Sequence, residues 1–553
     1  MFVRAKKSGK YDYLQVVHNE KINGRVKQNV IATLGRLDVL QASGKIDALI
    51  ASCSRYAKQV AVINASRRGE IPAADKTRIG PDMVFSRLWQ SLGIQEEIRS
   101  LLTARRFGFD VERAIYLTVL HRLFVSGSDR AAEKWKHNYL IPGAEALELH
   151  HLYRAMAFLG EELPAHEQGS QMPFSPRCAK DTIEERMFAR RRNLFTGLQI
   201  VFFDTTSIYF EGEGGTIGAL GKSKDNRPDL KQIVVGVVLN TQGTPICCEM
   251  WPGNTADVKS LIPVVERMKT RFGIKEACIV SDRGMISQET IAELESSQTK
   301  WKYILGARMR LQKEIRERVL SRAGAYRELV SARANSKDPA PLKVKEVWIQ
   351  DRRYVICLNE EQRRKDAFDR QAIVEHLREQ LKHGEKSLIG NKGYRKYLTT
   401  SDETRFAIDE KKIKAEARYD GKWVLRTNME LPAAEIALKY KQLWMVEDIF
   451  RTTKSILETR PIYHQITETI RGHVFCSFLA LVLRKELQKR MESRGWKSEW
   501  ADIRDGLNDL EEFEVKTKGQ RFVIRSRTTG EAGKAIQSAG IALGPAVRFK
   551  DAE

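Results

Sequence analysis

At 553 residues with a hydrophobic fraction of 42 %, the chain is too long for one core and has the composition of an ordinary globular protein, so several domains are expected. Lys and Arg number 94 against 71 Asp and Glu, a net charge of +23, and such an excess attracts polyanions: DNA, RNA or an anionic membrane. The longest apolar run, Val474 to Leu483, stops at Arg484 and Lys485, short of the roughly 18 residues that span a bilayer. The basic N-terminus lacks the apolar stretch of a secretion signal, and the seven scattered cysteines, without CxxC spacing, argue against a disulfide framework or structural zinc site, so a cytoplasmic location with buried thiols is expected.

Residues 11–17 and 26–32 alternate in the β manner around Asn23-Gly24, a hairpin turn signal. The first 80 residues hold 15 Lys or Arg against 6 Asp or Glu, so a basic β module over 1–75 is the first candidate for DNA-end contact, set against a merely solvated basic surface. From about Pro81 to Phe195 apolar residues recur at helical spacing, which predicts a helical domain over 76–195 with a linker at 166–176. The period then changes. A strand at 198–203 leads through a polar loop to strands at 232–239 and 245–251, an antiparallel meander. A helix from Asn254 to about Phe272 then returns the chain to a strand at 277–281, which the crossover makes parallel to the first. Glu447 follows Asp282 by 165 positions, more than a crossover needs, and 291–419 reads as an inserted subdomain. The core resumes at 423–427, a helix is expected from Pro432 to Lys454, and a second long helix from Thr467 to Met491. Residues 496–553 form a mixed tail with no role assigned.

Three acids stand out. Asp204 and Asp282 each close a buried strand, and Glu447 lies in the 432–454 helix. Carboxylates fixed at strand ends, joined by one from a helix, can converge on hard cations, and on so basic a protein this points to metal-dependent chemistry on nucleic acid. Tyr440, Leu443, Glu447, Arg451 and Lys454 fall on one face of that helix; the bland alternative is an exposed helix with an ordinary Glu447–Arg451 pair. Asp448, about 100° away, is a rival ligand. Arg283 is a phosphate contact or a salt-bridge partner, and Lys222, Lys224, Arg227 and Lys231 form a basic loop that reads as DNA-backbone contact or solvated surface. Trp301, Trp348 and Trp423 are expected to pack in cores rather than stack on a base, and His473 to be structural.

The motifs Phe203-Asp204-Thr205-Thr206-Ser207, Ser223-Lys224-Asp225-Asn226-Arg227-Pro228-Asp229, Pro252-Gly253-Asn254-Thr255 and Ser281-Asp282-Arg283-Gly284, the 440–454 helix, and the opening Phe2 to Lys7 with Ile31 to Leu37 together resemble the DDE transposases of bacterial insertion sequences, in the IS1634-like branch of the IS4-like superfamily. The resemblance implies an α/β protein with a ribonuclease H-like mixed-sheet core over 196–290 and 420–495, a β-rich insertion, an N-terminal β-hairpin module and a helical domain. It also implies a helix signature of Tyr, two residues, Arg, three residues, Glu, six residues, Lys. Tyr440, Glu447 and Lys454 match it, but Leu443 occupies the Arg position and removes one expected DNA contact. Arg451, one turn beyond Glu447, is the candidate replacement.

The same resemblance implies two Mg²⁺ ions, replaceable by Mn²⁺, on Asp204, Asp282 and Glu447, where they activate water or a 3′-hydroxyl and stabilise the leaving oxygen of in-line phosphoryl transfer. The expected activity is cleavage at the terminal inverted repeats and strand transfer into double-stranded target DNA, by a homodimer or larger synaptic complex in the bacterial nucleoid. Arg283, Tyr440, Arg451, Lys454, Lys222, Lys224, Arg227 and Lys231 are the candidate DNA-binding residues. The competing readings are a stand-alone ribonuclease H-like nuclease and a non-catalytic DNA-binding regulator derived from a transposase. A membrane-surface role lacks the basic amphipathic anchor it would need.

Overall fold

A computed structural model describes residues 2–22, 25–53, 75–168, 176–191, 199–274, 277–296, 301–330, 340–383, 396–402, 405–517 and 520–550. The Asn23-Gly24 turn, most of the 166–176 linker and Leu198 lie outside these. The chain divides into two compact units, one of residues 1–80, 138–140 and 499–553, the other of 81–137 and 141–498.

The first unit opens with an antiparallel sheet of β1 (Phe2–Ser8), β2 (Tyr11–Ile22) and β3 (Arg25–Arg36) in that order. The alternation that predicts these strands leaves them thinly covered, and Val17 is buried while Phe2, Val3, Val26, Val30 and Ile31 are exposed. Strand β4 (Asp75–Arg78) follows.

The second unit begins with helices. Val111–Phe124 is buried along its whole length, and Leu149–Gly160 packs against it and against Thr467–Glu492. The apolar run Val474 to Leu483 thus lies inside a helical bundle, and among the described residues no helix is long and apolar enough to cross a membrane. Helix Ala179–Arg191 leans on the sheet through buried charges: Lys180 Nζ pairs with Asp181 at 2.6 Å and donates to the Cys248 carbonyl at 3.0 Å, while the Cys248 N–H donates to Glu184 at 2.9 Å.

The sheet it supports has nine strands. β5 (Gln199–Tyr209), β6 (Gln232–Leu239) and β7 (Pro245–Pro252) make the antiparallel meander. Helix Leu261–Thr270 then carries the chain to β8 (Ala277–Ser281), parallel to β5, and β9 (Lys302–Gly306) is parallel to β8. β10 (Arg327–Val330), β11 (Leu342–Ile349) and β12 (Arg352–Leu358) extend the same sheet. Beyond them β13 (Leu398–Asp402) and β14 (Arg405–Ile408) pair separately, and β15 (Lys422–Thr427) rejoins the main sheet, whose order is β10-β11-β12-β15-β9-β8-β5-β6-β7. Much of the segment read from sequence as an insertion is therefore continuous with the central sheet, while helix Glu360–His383 packs with β13 and β14 in a satellite core around Val374, Leu377, Tyr397 and Leu398. Under the β5–β9 face, Val201, Phe203, Ile279, Trp301, Tyr303 and Leu305 pack against Val264, Val265 and Met268 of the crossover helix.

The tail returns to the first unit. Helix Trp500–Asn508, β16 (Glu511–Thr517), β17 (Gln520–Arg525), helix Gly530–Ser538 and β18 (Val547–Lys550) build a sheet of order β18-β17-β16-β4.

Candidate active site

The parallel ladder between β5 and β8 ends at the pair Phe203↔Ser281, where the Ser281 hydroxyl donates to the Phe203 carbonyl at 2.8 Å. The next residue on each strand is an aspartate. Asp204 and Asp282 are thus neighbours across strands that run about 4.8 Å apart, with side chains on the same side. Buried apolar residues on both faces make these strands rigid, and the register is what brings together two acids distant in sequence. β5 does not end at Asp204, however. It continues to Tyr209 because Thr205 to Tyr209 still pair with β6.

Asp204 is partly buried, and its Oδ1 accepts the Thr205 N–H at 2.7 Å. Desolvation pushes its carboxyl up to about 6 against the downward pull of Lys224, with Asp282 and Asp257 adding repulsion. Asp282 Oδ1 accepts the Tyr440 hydroxyl at 3.1 Å. That contact needs Gly306, which continues the row from Asp282 because Ser281 pairs with Leu305. A Cβ at position 306 would collide with the Tyr440 hydroxyl. Burial and Asp282 hold the Tyr440 phenol protonated, well above its ordinary range. Arg308 Nε and Nη2 each donate at 2.9 Å to the carbonyls of Arg283 and Gly284, fixing the turn that follows Asp282.

Sequence reasoning missed Asp257, which fell within the helix read from Asn254 to about Phe272. Its Oδ1 accepts the Thr205 hydroxyl at 2.7 Å and lies 3.3 Å from Lys224 Nζ. Lys224 Nζ in turn donates to the Thr205 carbonyl at 2.8 Å. A cavity of about 280 Å³ lined by Ser207, Lys222, Lys224, Asp257, Gly284 and Arg308 adjoins this network. The available signal was an acid just beyond the meander, in a Gly-Asn-Thr-Ala-Asp turn.

Glu447 is exposed on helix Trp444–Arg451, which packs against β5 and β6. The single helix expected over 432–454 is two, Ala433–Lys441 and Trp444–Arg451. Between them Leu443, Met445 and Val446 donate three residues back, to Tyr440, Gln442 and Leu443 at 3.0 Å. That tightening breaks the even 3.6-residue stripe on which Tyr440 and Glu447 were aligned. Leu443 is buried, which suits an apolar residue where the family signature has Arg. Among the described residues, Asp129, His464 and His473 are the one trio of potential ligands whose ligand atoms lie within 4.8 Å of one another. Asp204 and Asp282 are brought together, and Glu447 does not join them at that range. Asp448, the rival, pairs with Lys485 at 3.5 Å.

The candidate DNA contacts separate by what holds them. Arg283, Lys222 and Arg451 are exposed. Lys224 is engaged at Thr205 and Asp257, Lys454 pairs with Asp225 at 2.7 Å, Arg227 with Asp229 at 3.0 Å, and Lys231 with Glu213. Tyr440 is turned to Asp282. Of the tryptophans, Trp301 is fully buried and Trp423 partly so. Trp348 departs from the expected core packing, being 54 % exposed because β11 alternates and position 348 falls on its open face. His473 is buried, with Arg122 Nη2 at 2.8 Å from its Nδ1.

Residues 2–66 match the family described as IS1634 family transposase, N-terminal domain, and residues 196–483, more than half of the chain, match the transposase DDE domain. No curated protein matches. Among solved structures, the cryo-EM structure of a piggyBac transposase synaptic complex with hairpin DNA is similar with a TM-score of 0.36 at 10 % identity, covering 78 % of each chain. The chain belongs to the DDE transposases of the IS1634 family, enzymes that transpose DNA and depend on a divalent metal.

Proposed function

We propose that this transposase binds the terminal inverted repeats of its own insertion sequence, cuts there and joins the freed ends to target DNA, with Asp204, Asp282 and Glu447 holding two Mg²⁺ ions in a ribonuclease H-like core and the protein acting as a dimer or larger synapse. What supports this reading is the β5–β8 register, which sets two carboxylates side by side just past the last pair of the parallel ladder. Their oxygens suit a hard divalent cation, and the unfavourable desolvation of Asp204 is what a bound cation would relieve. When bound, the metal supplies Lewis-acid stabilisation for in-line phosphoryl transfer. The chain's own residues orient the centre. Tyr440 holds one oxygen of Asp282, Arg308 fixes the turn after Asp282, and Lys224 offsets part of the acidic charge. Arg283, Lys222 and Arg451 are the proposed phosphate contacts, because their charges are exposed beside the acids or on the helix of Glu447.

The test is cleavage of a plasmid carrying the element's ends. Asp204→Ala is expected to lower Mg²⁺-dependent nicking by more than about a hundredfold, beyond the range for losing a mere partner of a metal ligand, while end binding in a gel shift stays intact. Wild-type cutting by that variant would overturn the assignment.

A further inference from the structure

The Ser223–Asp229 segment, Ser-Lys-Asp-Asn-Arg-Pro-Asp, lies between β5 and β6 and was read from sequence as a family motif within a basic loop. Its side chains are not arranged as a solvated loop. Ser223 Oγ accepts the N–H groups of Asp225 and Arg227, each at 3.1 Å, closing a tight turn in which Asn226 takes a φ of 57°, a left-handed conformation that Asn tolerates better than most residues. The Lys224 N–H donates to Ser207 Oγ at 2.7 Å, tying the turn to β5.

Consecutive residues then reach different elements. Lys224 Nζ goes to Thr205 and Asp257 beside Asp204. The Asp225 carboxylate, 3 % exposed, goes to Lys454 at 2.7 Å and to Arg460. Lys454 lies in the turn Thr452–Ile456 that continues directly from the helix carrying Glu447. Arg227 and Arg460 both stand over the ring of Tyr209, the last residue of β5, at 5.5 and 6.0 Å from its centroid. A buried carboxylate is costly to desolvate unless paired, so Asp225 holds its two cations firmly.

We propose that this segment is a positioning strap for the reaction centre: Lys224 fixes it to the strand of Asp204, and Asp225, by gripping Lys454 and Arg460, sets where the helix of Glu447 stands. The inference rests on the reading of Glu447 as the third metal ligand. It gives Lys224 and Lys454 a structural task in the DNA-free protein and makes Asp225 a positioning residue.

The experiment is Mn²⁺ binding to the full-length, DNA-free protein by titration calorimetry, with thermal unfolding as a check on folding. Asp225→Asn is expected to weaken Mn²⁺ binding about tenfold or more, as loss of a residue that orients a ligand does. Glu447→Gln is expected to weaken it too, and the double variant to be no weaker than the worse single one, because Asp225 acts only through Glu447. Asp225→Glu should recover part of the affinity. Wild-type affinity in a folded Asp225→Asn protein, or a loss additive with Glu447→Gln, overturns the strap alone. Wild-type affinity in Glu447→Gln overturns the third-ligand reading and the strap with it. If Asp225→Asn does not fold, Lys454→Met decides, and unchanged Mn²⁺ affinity there overturns the strap.

Discussion

Asp204 carries the sharpest chemical consequence in the site. Its carboxyl is pushed up to about 6 by desolvation, above the ordinary value near 3.9. The folded, metal-free protein therefore binds this proton more tightly than the unfolded chain does. The stabilising contribution is complete below the ordinary carboxylate pKa and is lost as pH rises through about 6. A cation needs the ionised form, so proton and metal compete. Mn²⁺ affinity is expected to be about tenfold weaker at pH 5 than at pH 7, one decade for one pH unit below the pKa, and Asp204→Asn should flatten the profile. Calorimetry at the two pH values decides, and a flat profile in the wild type would show that Asp204 does not hold the metal. Asp204 and Asp282 were legible from sequence because each closes an apolar run. Asp257 was not, since its contacts to Thr205 and Lys224 arise from residues 52 and 33 positions away that only the fold brings near.

At the level of elements, the helices were legible from apolar periodicity, but the break at Gln442 and Leu443 was not. No Pro or Gly marks it; the backbone tightens there by hydrogen bonding three residues back, while helix Ala433–Lys441 packs on β8, β9, β11 and β12 and helix Trp444–Arg451 on β5 and β6. The long helix Thr467–Glu492 makes its closest approach to Leu149–Gly160 through two glycines. A Cβ at Gly472 would fall on the Met156 carbonyl, and one at Gly160 on the Glu468 carbonyl. Gly472→Ala is therefore expected to destabilise the protein by about 1–3 kcal/mol through overpacking, read as a lower denaturation midpoint in urea. An unchanged midpoint would mean that the helices separate without cost.

At the scale of the whole molecule, the C-terminal residues that sequence left without a role complete a sheet begun near residue 75. β4 pairs with β16 from Glu511↔Arg78 to Glu514↔Asp75, Lys76 Nζ lies 2.9 Å from Glu511, and the Tyr139 hydroxyl donates to Asn508 at 3.0 Å. Deleting 499–553 leaves β4 without its partner strand, so trypsin is expected to cut at Lys76 and Arg78 in the truncated chain while sparing them in the full-length one. Equal protection would refute that dependence.

The sequence by itself determined what local pattern encodes: a basic, multidomain α/β chain, the apolar runs that lead into Asp204 and Asp282, the crossover helix, and motifs dense enough to identify the family. Those features depend on residues a few positions apart, whose periodicity and turn chemistry act before any long-range contact forms. Only the tertiary structure decided the register that sets the two aspartates side by side, the extension of one sheet by the strands around residues 327–358, the pairing of residues 75–78 with the C-terminal strands, and which lysines are spent on internal carboxylates. These depend on packing and charge pairing between segments as much as hundreds of residues apart, and such contacts leave no spacing for a sequence to show.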